Sequence, residues 1–324
     1  MTLWAKRLAV IALSALACPF MPAVAQPAKV PLISVLNSSE ANSPFAQGLR
    51  QGLRELGYSE GESILIEWNP QEGYGPELKQ VAQDLVRLKA ELVVVFNTPD
   101  ARAMLDNTTI PVVYMAGDPV GAGLAATLAR PGGNGTGISI MVIELTAKRL
   151  EILHEIAPRA RRIGVLFNSS NPMGNTQIQE ALKASRILGV ELKLLDAKNL
   201  GELNRALQSV SLKNVGAVLV TGDGLFIKNR AKIAHVMRSE KIPAIYPTLA
   251  YHDAGVLVTY GPNVKEASRK LATYVDRILK GTKPADLPVE QMSRYELIIN
   301  ERIAKEMKLP IPQTLLMRAD ELIQ

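Results

Sequence analysis

The sequence predicts an α/β protein built as two doubly wound parallel-sheet lobes joined by a multi-strand hinge. Three observations lead there. From Val30 onward, short β-branched runs alternate with longer amphipathic ones, the grammar of strand–helix–strand units whose strands pair in parallel through right-handed crossovers. The alternation halts at Ala129-Arg-Pro-Gly-Gly-Asn-Gly-Thr-Gly137 and restarts beyond it, which places a boundary there. The final stretch, from about residue 256, carries too few elements for a third core and has to return to the first two.

In the first half, strands are expected at Val30–Leu36, Ile64–Trp68, Leu92–Phe96 and Ile110–Met115. Between them, Pro44–Leu56 repeats Leu49, Leu53 and Leu56 on one helical face, and Glu77–Leu88 repeats Leu78, Val81, Leu85 and Leu88. The glycine run is too rich for either regular element and is expected to serve as a flexible hinge strand. The second half should form helix Leu145–Ile156, strand Ile163–Phe167, helix Thr176–Leu188, strand Val190–Leu195 and helix Leu200–Val210. Strand Ala217–Thr221, helix Ile227–Ser239 and strand Ala244–Tyr246 complete it. The returning segment is read as strand Val256–Tyr260, helix Lys265–Leu279, strand Tyr295–Ile299 and helix Glu301–Met307. Residues 26–138 plus about 258–283 are thereby assigned to one lobe, and 139–257 plus about 284–324 to the other. Repeated crossings make a hinge that closes two lobes over a cleft, the default place for a function.

Residues 1–25 read as a secretory signal peptide: Lys6 and Arg7, an apolar run of about ten residues from Leu8, and small residues at Ala23 and Ala25 before the expected cut. A second reading stays open, because Ala15-Leu16-Ala17-Cys18 is a permissive lipobox that would leave Cys18 acylated. Either route places the mature protein outside the cytoplasmic membrane.

Composition narrows the chemistry. The formal charge is +6 over 324 residues, and loss of Lys6 and Arg7 with the signal leaves a mild +4, spread too widely for a nucleic-acid surface. A single cysteine permits no internal disulfide and no thiolate zinc cluster, and three histidines without His-Glu-x-x-His spacing make no metal centre. His154, His235 and the His252-Asp253 pair are read as surface or boundary groups. No serine-nucleophile elbow, phosphate-binding loop, cofactor or catalytic acid–base pair is expected.

What remains is a set of polar residues after strands, where open α/β sheets bind ligands. They are Ser38 and Ser39, Asn97 and Thr98, and Asp118 in the first lobe, with Asn168, Asp223 and Tyr246 in the second. Each is also an ordinary cap or turn former, and it is their joint placement that points to binding.

Several runs resemble a known family: Asp118-Pro-Val-Gly121, Leu128-Ala-Arg-Pro-Gly-Gly-Asn134, Tyr260-Gly-Pro-Asn263, Lys283-Pro-Ala-Asp-Leu-Pro-Val-Glu-Gln291 and Leu315-Leu-Met-Arg-Ala-Asp320. Together they are similar to the substrate-binding proteins of ABC importers, in the branch described as tryptophan/tyrosine-type, over nearly the whole mature chain. The resemblance implies a type I periplasmic-binding fold with three crossings, no catalysis, a small-molecule solute, an inner-membrane permease as partner, and a monomer in the periplasm. Here Gly255-Val256 and Thr259-Tyr260-Gly261 depart from the paired glycines usual before Ser-Tyr-Gly. A sensor that presents its closed form to a receptor and a secreted enzyme with its site in the cleft stay open as alternatives.

For an amino acid, Thr98 and the helix start behind it suit the carboxylate, Asp118 or Asp223 the ammonium, and Tyr246 or Tyr260 a stacked aromatic side chain. Alanine at whichever aspartate pairs with a buried ammonium should weaken binding by about 2 kcal/mol or more, measured by titration calorimetry. Unchanged affinity in both variants would reject this pose.

Overall fold

The computed structural model describes residues 30–37, 43–70 and 77–324, so Ser38, Ser39, Cys18 and the signal segment lie outside the described residues. The first half supplies β1 (Leu32–Asn37), α1 (Pro44–Glu55), β2 (Leu65–Pro70), α2 (Glu77–Arg87), β3 (Leu92–Val95), α3 (Thr98–Asn107), β4 (Val112–Ala116) and β5 (Gly135–Ser139). The second half begins with α4 (Leu145–Ile156), β6 (Arg162–Phe167), α5 (Pro172–Leu188), β7 (Glu191–Asp196) and α6 (Leu200–Gln208). It continues through β8 (Ala217–Val220), α7 (Gly224–Lys228), α8 (Arg230–Ser239), β9 (Ala244–Tyr246) and β10 (Val258–Pro262). Then come α9 (Val264–Leu279), β11 (Glu290–Gln291), β12 (Tyr295–Asn300), α10 (Glu301–Met307), α11 (Gln313–Leu316) and β13 (Glu321–Ile323).

The strands form two sheets, in the orders β11-β5-β4-β3-β1-β2 and β13-β12-β10-β9-β8-β6-β7. All pairings are parallel except β10 with β12, where Pro262 faces Tyr295. That pair runs antiparallel because β10 leaves its lobe at the end where β12 enters. Central strands are buried on both faces, as parallel sheets with helices on each side require. In β3, Leu92 and Val94 point into one core while Val93 and Val95 point into the other.

Three crossings join the lobes, after β5, after β10 and after β11. Two expected boundaries therefore move. The segment at 258–262 pairs with β9 and β12 in the second sheet, and only α9 returns to the first lobe. Residues 284–291 also belong to the first lobe, because Leu287 and Val289 are buried in its two cores and β11 pairs with β5. In α1, Gly48 and Gly52 face α9 so closely that a β-carbon would stand 2.1 Å from the Lys265 carbonyl oxygen and 2.2 Å from that of Arg269.

Other differences have local causes. The end of the glycine run, Gly135 to Gly137, enters β5, which is fully buried between β4 and β11, while Gly132 and Gly133 stay exposed in the loop before it. Gly137 lies so near β4 that a β-carbon would stand 1.9 Å from the Tyr114 carbonyl oxygen. The helix expected over 227–239 is two, because Asp223 caps an earlier start and the chain breaks at Asn229. α5 starts four residues early, at Pro172, with the Asn171 side chain accepting from the Met173 N–H. α3 had no range from periodicity because its buried positions are Thr98, Asp100, Ala101 and Met104, two of them polar, which make no apolar stripe.

Arg149 on α4 is fully buried and lies where two crossings meet. Its Nε donates to the Tyr260 carbonyl at 2.7 Å, Nη1 to that of Val142 at 2.9 Å and Nη2 to that of Pro247 at 3.1 Å. Burial lowers its pKa to about 9, so the guanidinium stays charged at neutral pH. Arg149→Met keeps much of the packing volume and removes all three donors. It is expected to cost about 3 kcal/mol or more of unfolding free energy, read from the denaturant midpoint.

Candidate functional site

A cleft opens where the carboxyl ends of the two sheets face each other, enclosing about 700 Å³ including its open mouth. The first lobe gives it Phe45, Phe96, Thr98, Met115, Gly117 and Val264, and the first crossing adds Ile140 and Val142. Asn171, Met173, Asp223, Ile227, Thr248 and Tyr251 form the facing wall. Phe45 and Phe96 meet at 5.3 Å between ring centroids with a 50° tilt, an arrangement that leaves aromatic surface toward the cleft. The lobes touch across it: the Thr98 hydroxyl donates to Met173 Sδ at 2.9 Å, and Ile227 packs on the first lobe's core. This is a closed arrangement.

The polar groups are few and braced. Asp223 caps α7, its Oδ1 accepting from the Leu225 N–H at 2.8 Å. Its Oδ2 accepts from Asn168 Nδ2 at 3.2 Å and from Asn171 Nδ2 at 2.9 Å. Asn168 is itself locked, with Oδ1 accepting from the Ser170 N–H and hydroxyl. In the first lobe, Asn97 caps α3 by accepting from the Asp100 N–H at 2.8 Å, and the Thr98 hydroxyl accepts from the Gly117 N–H at 3.2 Å.

Of the residues picked from the sequence, Asn97, Thr98 and Asp223 come together in the cleft wall. Asn168 stands behind Asp223 as its support. Asp118 does not reach the wall: its carboxylate accepts from the Gly121 N–H at 2.8 Å and closes a turn. Tyr246 is buried in the core of the second lobe, behind Tyr251 at 5.0 Å between rings. Tyr260 packs on the second lobe's other core and offers Arg149 its backbone carbonyl. The wall residues that sequence reasoning missed, Phe45, Phe96, Met173 and Tyr251, carry patterns indistinguishable from core residues. The sequence does hold one Gly-x-Ser-x-Gly pentapeptide, Gly57-Tyr-Ser-Glu-Gly61, which corrects the expectation of none. It lies in a helix-to-strand turn, the reverse of the strand-to-helix geometry of a nucleophile elbow, and away from the cleft. His252 Nε2 lies 2.7 Å from the Thr259 hydroxyl and Asp253 pairs with Arg230, and neither residue lines the cleft.

A family model for the ABC transporter substrate binding proteins matches residues 29–323. This chain belongs to that family. Such proteins bind a small solute outside the cytoplasmic membrane and work with an ABC permease. A tyrosine-binding protein of Clostridioides difficile is 28% identical over 266 residues, 81% of this chain and 76% of the relative. The ABC domain from Streptococcus pneumonia in complex with L-Trp has a TM-score of 0.82 at 26% identity, over 90% of this chain and 99% of that one. The ligand-free, open structure of CD0873, a substrate binding protein with adhesive properties from Clostridium difficile, also has 26% identity, over 91% and 99%, but a TM-score of 0.63. This substrate-binding protein thus matches the liganded relative better than the open one, in keeping with the contacts between Thr98 and Met173. Among the described residues no helix is long and apolar enough to cross a membrane.

Asp100 braces this substrate-binding protein's Asn97 from behind. It is 2% exposed; Oδ2 accepts from Asn97 Nδ2 at 2.6 Å, while Oδ1 has no partner among the described residues. Burial pushes its pKa from 3.8 up to about 6, against a smaller pull downward from Asn97. The folded state therefore holds this proton more tightly than the unfolded one. The stabilising contribution is complete below about pH 4 and is lost as pH rises through 6. Asp100→Asn should raise stability at pH 8 by about 2 kcal/mol and flatten the decline between pH 4 and 6, measured by denaturant titration across that range.

Proposed function

We propose that this substrate-binding protein captures an aromatic L-amino acid between its lobes and delivers it to an ABC permease. The observation that carries the reading is a cleft of aromatic and aliphatic surface holding one braced carboxylate, Asp223. Apolar walls suit a ring, and a carboxylate held by two amides and a helix start is fixed in place to receive an ammonium. In this pose Thr98 and the start of α3 take the carboxylate. The Thr98 hydroxyl would exchange a thioether acceptor, Met173 Sδ, for a charged one, a stronger bond by a wide margin. The tyrosine-binding relative and the L-Trp complex support the same solute class.

The rest of the reading concerns location and state. The protein is exported and cut after Ala25, with acylation at Cys18 as the competing route, and it works in the periplasm as a monomer, without enzymatic activity, metal or cofactor. A solute that touches both lobes binds the closed form better and draws the population toward it.

The test is a thermal-shift screen of residues 26–324 against L-Tyr, L-Trp, L-Phe, branched amino acids, sugars and nucleosides, followed by calorimetry of the hits. Solute at 100 times its dissociation constant should add about 2.7 kcal/mol of stability, a shift of several degrees. Aromatic amino acids are expected to give that shift. A response to sugars or nucleosides alone would reject the proposal.

A further inference from the structure

Tyr251 lies in the wall of the cleft at 1% exposure, and its hydroxyl has no hydrogen-bond partner among the described residues. A buried hydroxyl is nearly always paired, because losing water without a replacement is costly. The ring is held firmly: it stacks on Tyr246 at 5.0 Å with a 41° tilt and sits in the 3₁₀ turn Leu249–Ala254, closed by Gly255. Burial pushes the phenol well above its ordinary pKa, with the nearby Asp223 carboxylate next in effect, so the group remains an O–H whose oxygen can still accept. Thr248, at the start of the same turn, also faces the cleft and caps nothing with its side chain.

We propose that Tyr251 is a specificity-determining residue of this cleft, its hydroxyl oxygen accepting a hydrogen bond from the solute's α-ammonium beside Asp223. The inference rests on the amino-acid reading above and says which end of the solute this wall receives. An ammonium brings three donors. Asp223 Oδ2 already takes two amide bonds, so its carboxylate neutralises the charge without satisfying all three donors. Tyr251 supplies a second acceptor from the same wall. A solute carboxylate at this place would face Asp223 and be repelled, whereas an ammonium is attracted to it. The pair selects zwitterionic amino acids by their common end, leaving the phenylalanine-lined region for the side chain.

The experiment compares the unsubstituted protein with Tyr251→Phe, which keeps the ring and its stacking on Tyr246. Dissociation constants for L-Tyr, L-Trp and L-Phe are measured by calorimetry, together with the unfolding temperature without solute. The expected result is weaker binding by about tenfold or more, by the same factor for every amino acid that binds, with the solute-free unfolding temperature equal or higher. Dissociation constants within twofold of the unsubstituted protein's would overturn the inference while leaving the amino-acid reading intact. A loss confined to L-Tyr would also overturn it, because the hydroxyl would then meet the ring end. Weaker binding accompanied by a fall of several degrees in unfolding temperature would make Tyr251 a structural residue instead. If the unsubstituted protein binds none of the three, both the reading and this inference fail.

Discussion

Arg149 carries a charge into a site without solvent, and the carbonyls that receive it come from Val142, Pro247 and Tyr260. Val142 follows the first crossing, Tyr260 precedes the second, and Pro247 begins the segment that leads to Tyr251. A guanidinium presents donors in a rigid planar fork, so these three segments are held at fixed separations from one another. The hinge thus has a stiff inner edge. Two lobes joined by three crossings can rotate about such an edge without losing the register of either sheet, and each keeps its own pair of cores.

The cleft inherits its chemistry from that arrangement. Strand ends of both sheets converge there, so helix caps face one another across the gap: Asn97 of α3 on one side, Asn171 of α5 and Asp223 of α7 on the other. Most of their hydrogen-bonding capacity is spent on the caps themselves, which makes them rigid. Little is left over for a solute except charge and a few unsatisfied atoms. In the proposed function the aromatic and aliphatic lining supplies binding energy by burial, while Asp223 and its neighbours set orientation.

Much of the fold was legible because periodicity reports burial directly. Helices α1, α4 and α10 and strand β9 show their apolar faces plainly, and their bounds agree with the reading to within a residue. Where burial did not produce a stripe, the reading faltered. In β5, Gly137 packs on the β4 backbone and Gly135 under the Leu105 and Tyr114 side chains, so these positions give no side-chain period to read. The crossing after β10 fell late because a strand's partners are not encoded within the strand: Val258–Pro262 would look the same in either sheet. In the site, caps such as Asn97 and Asp223 were legible by residue type and position, whereas Asp118 satisfied the same rule and closes a turn instead. Tyr246 and Tyr251 lie five positions apart and stack on each other, yet only Tyr251 reaches the cleft.

By itself the sequence determined the alternation of strands and helices, the two-lobe division, the family, and the polar character of the strand ends. Those properties follow from local periodicity and residue type, which act over a few residues at a time. Tertiary structure alone decided which lobe receives each returning segment, which tyrosine faces the cleft, and which buried charge holds the hinge. These depend on contacts between residues far apart in the chain, such as Arg149 with Tyr260 and Asn168 with Asp223, whose geometry exists only once both lobes have folded and met.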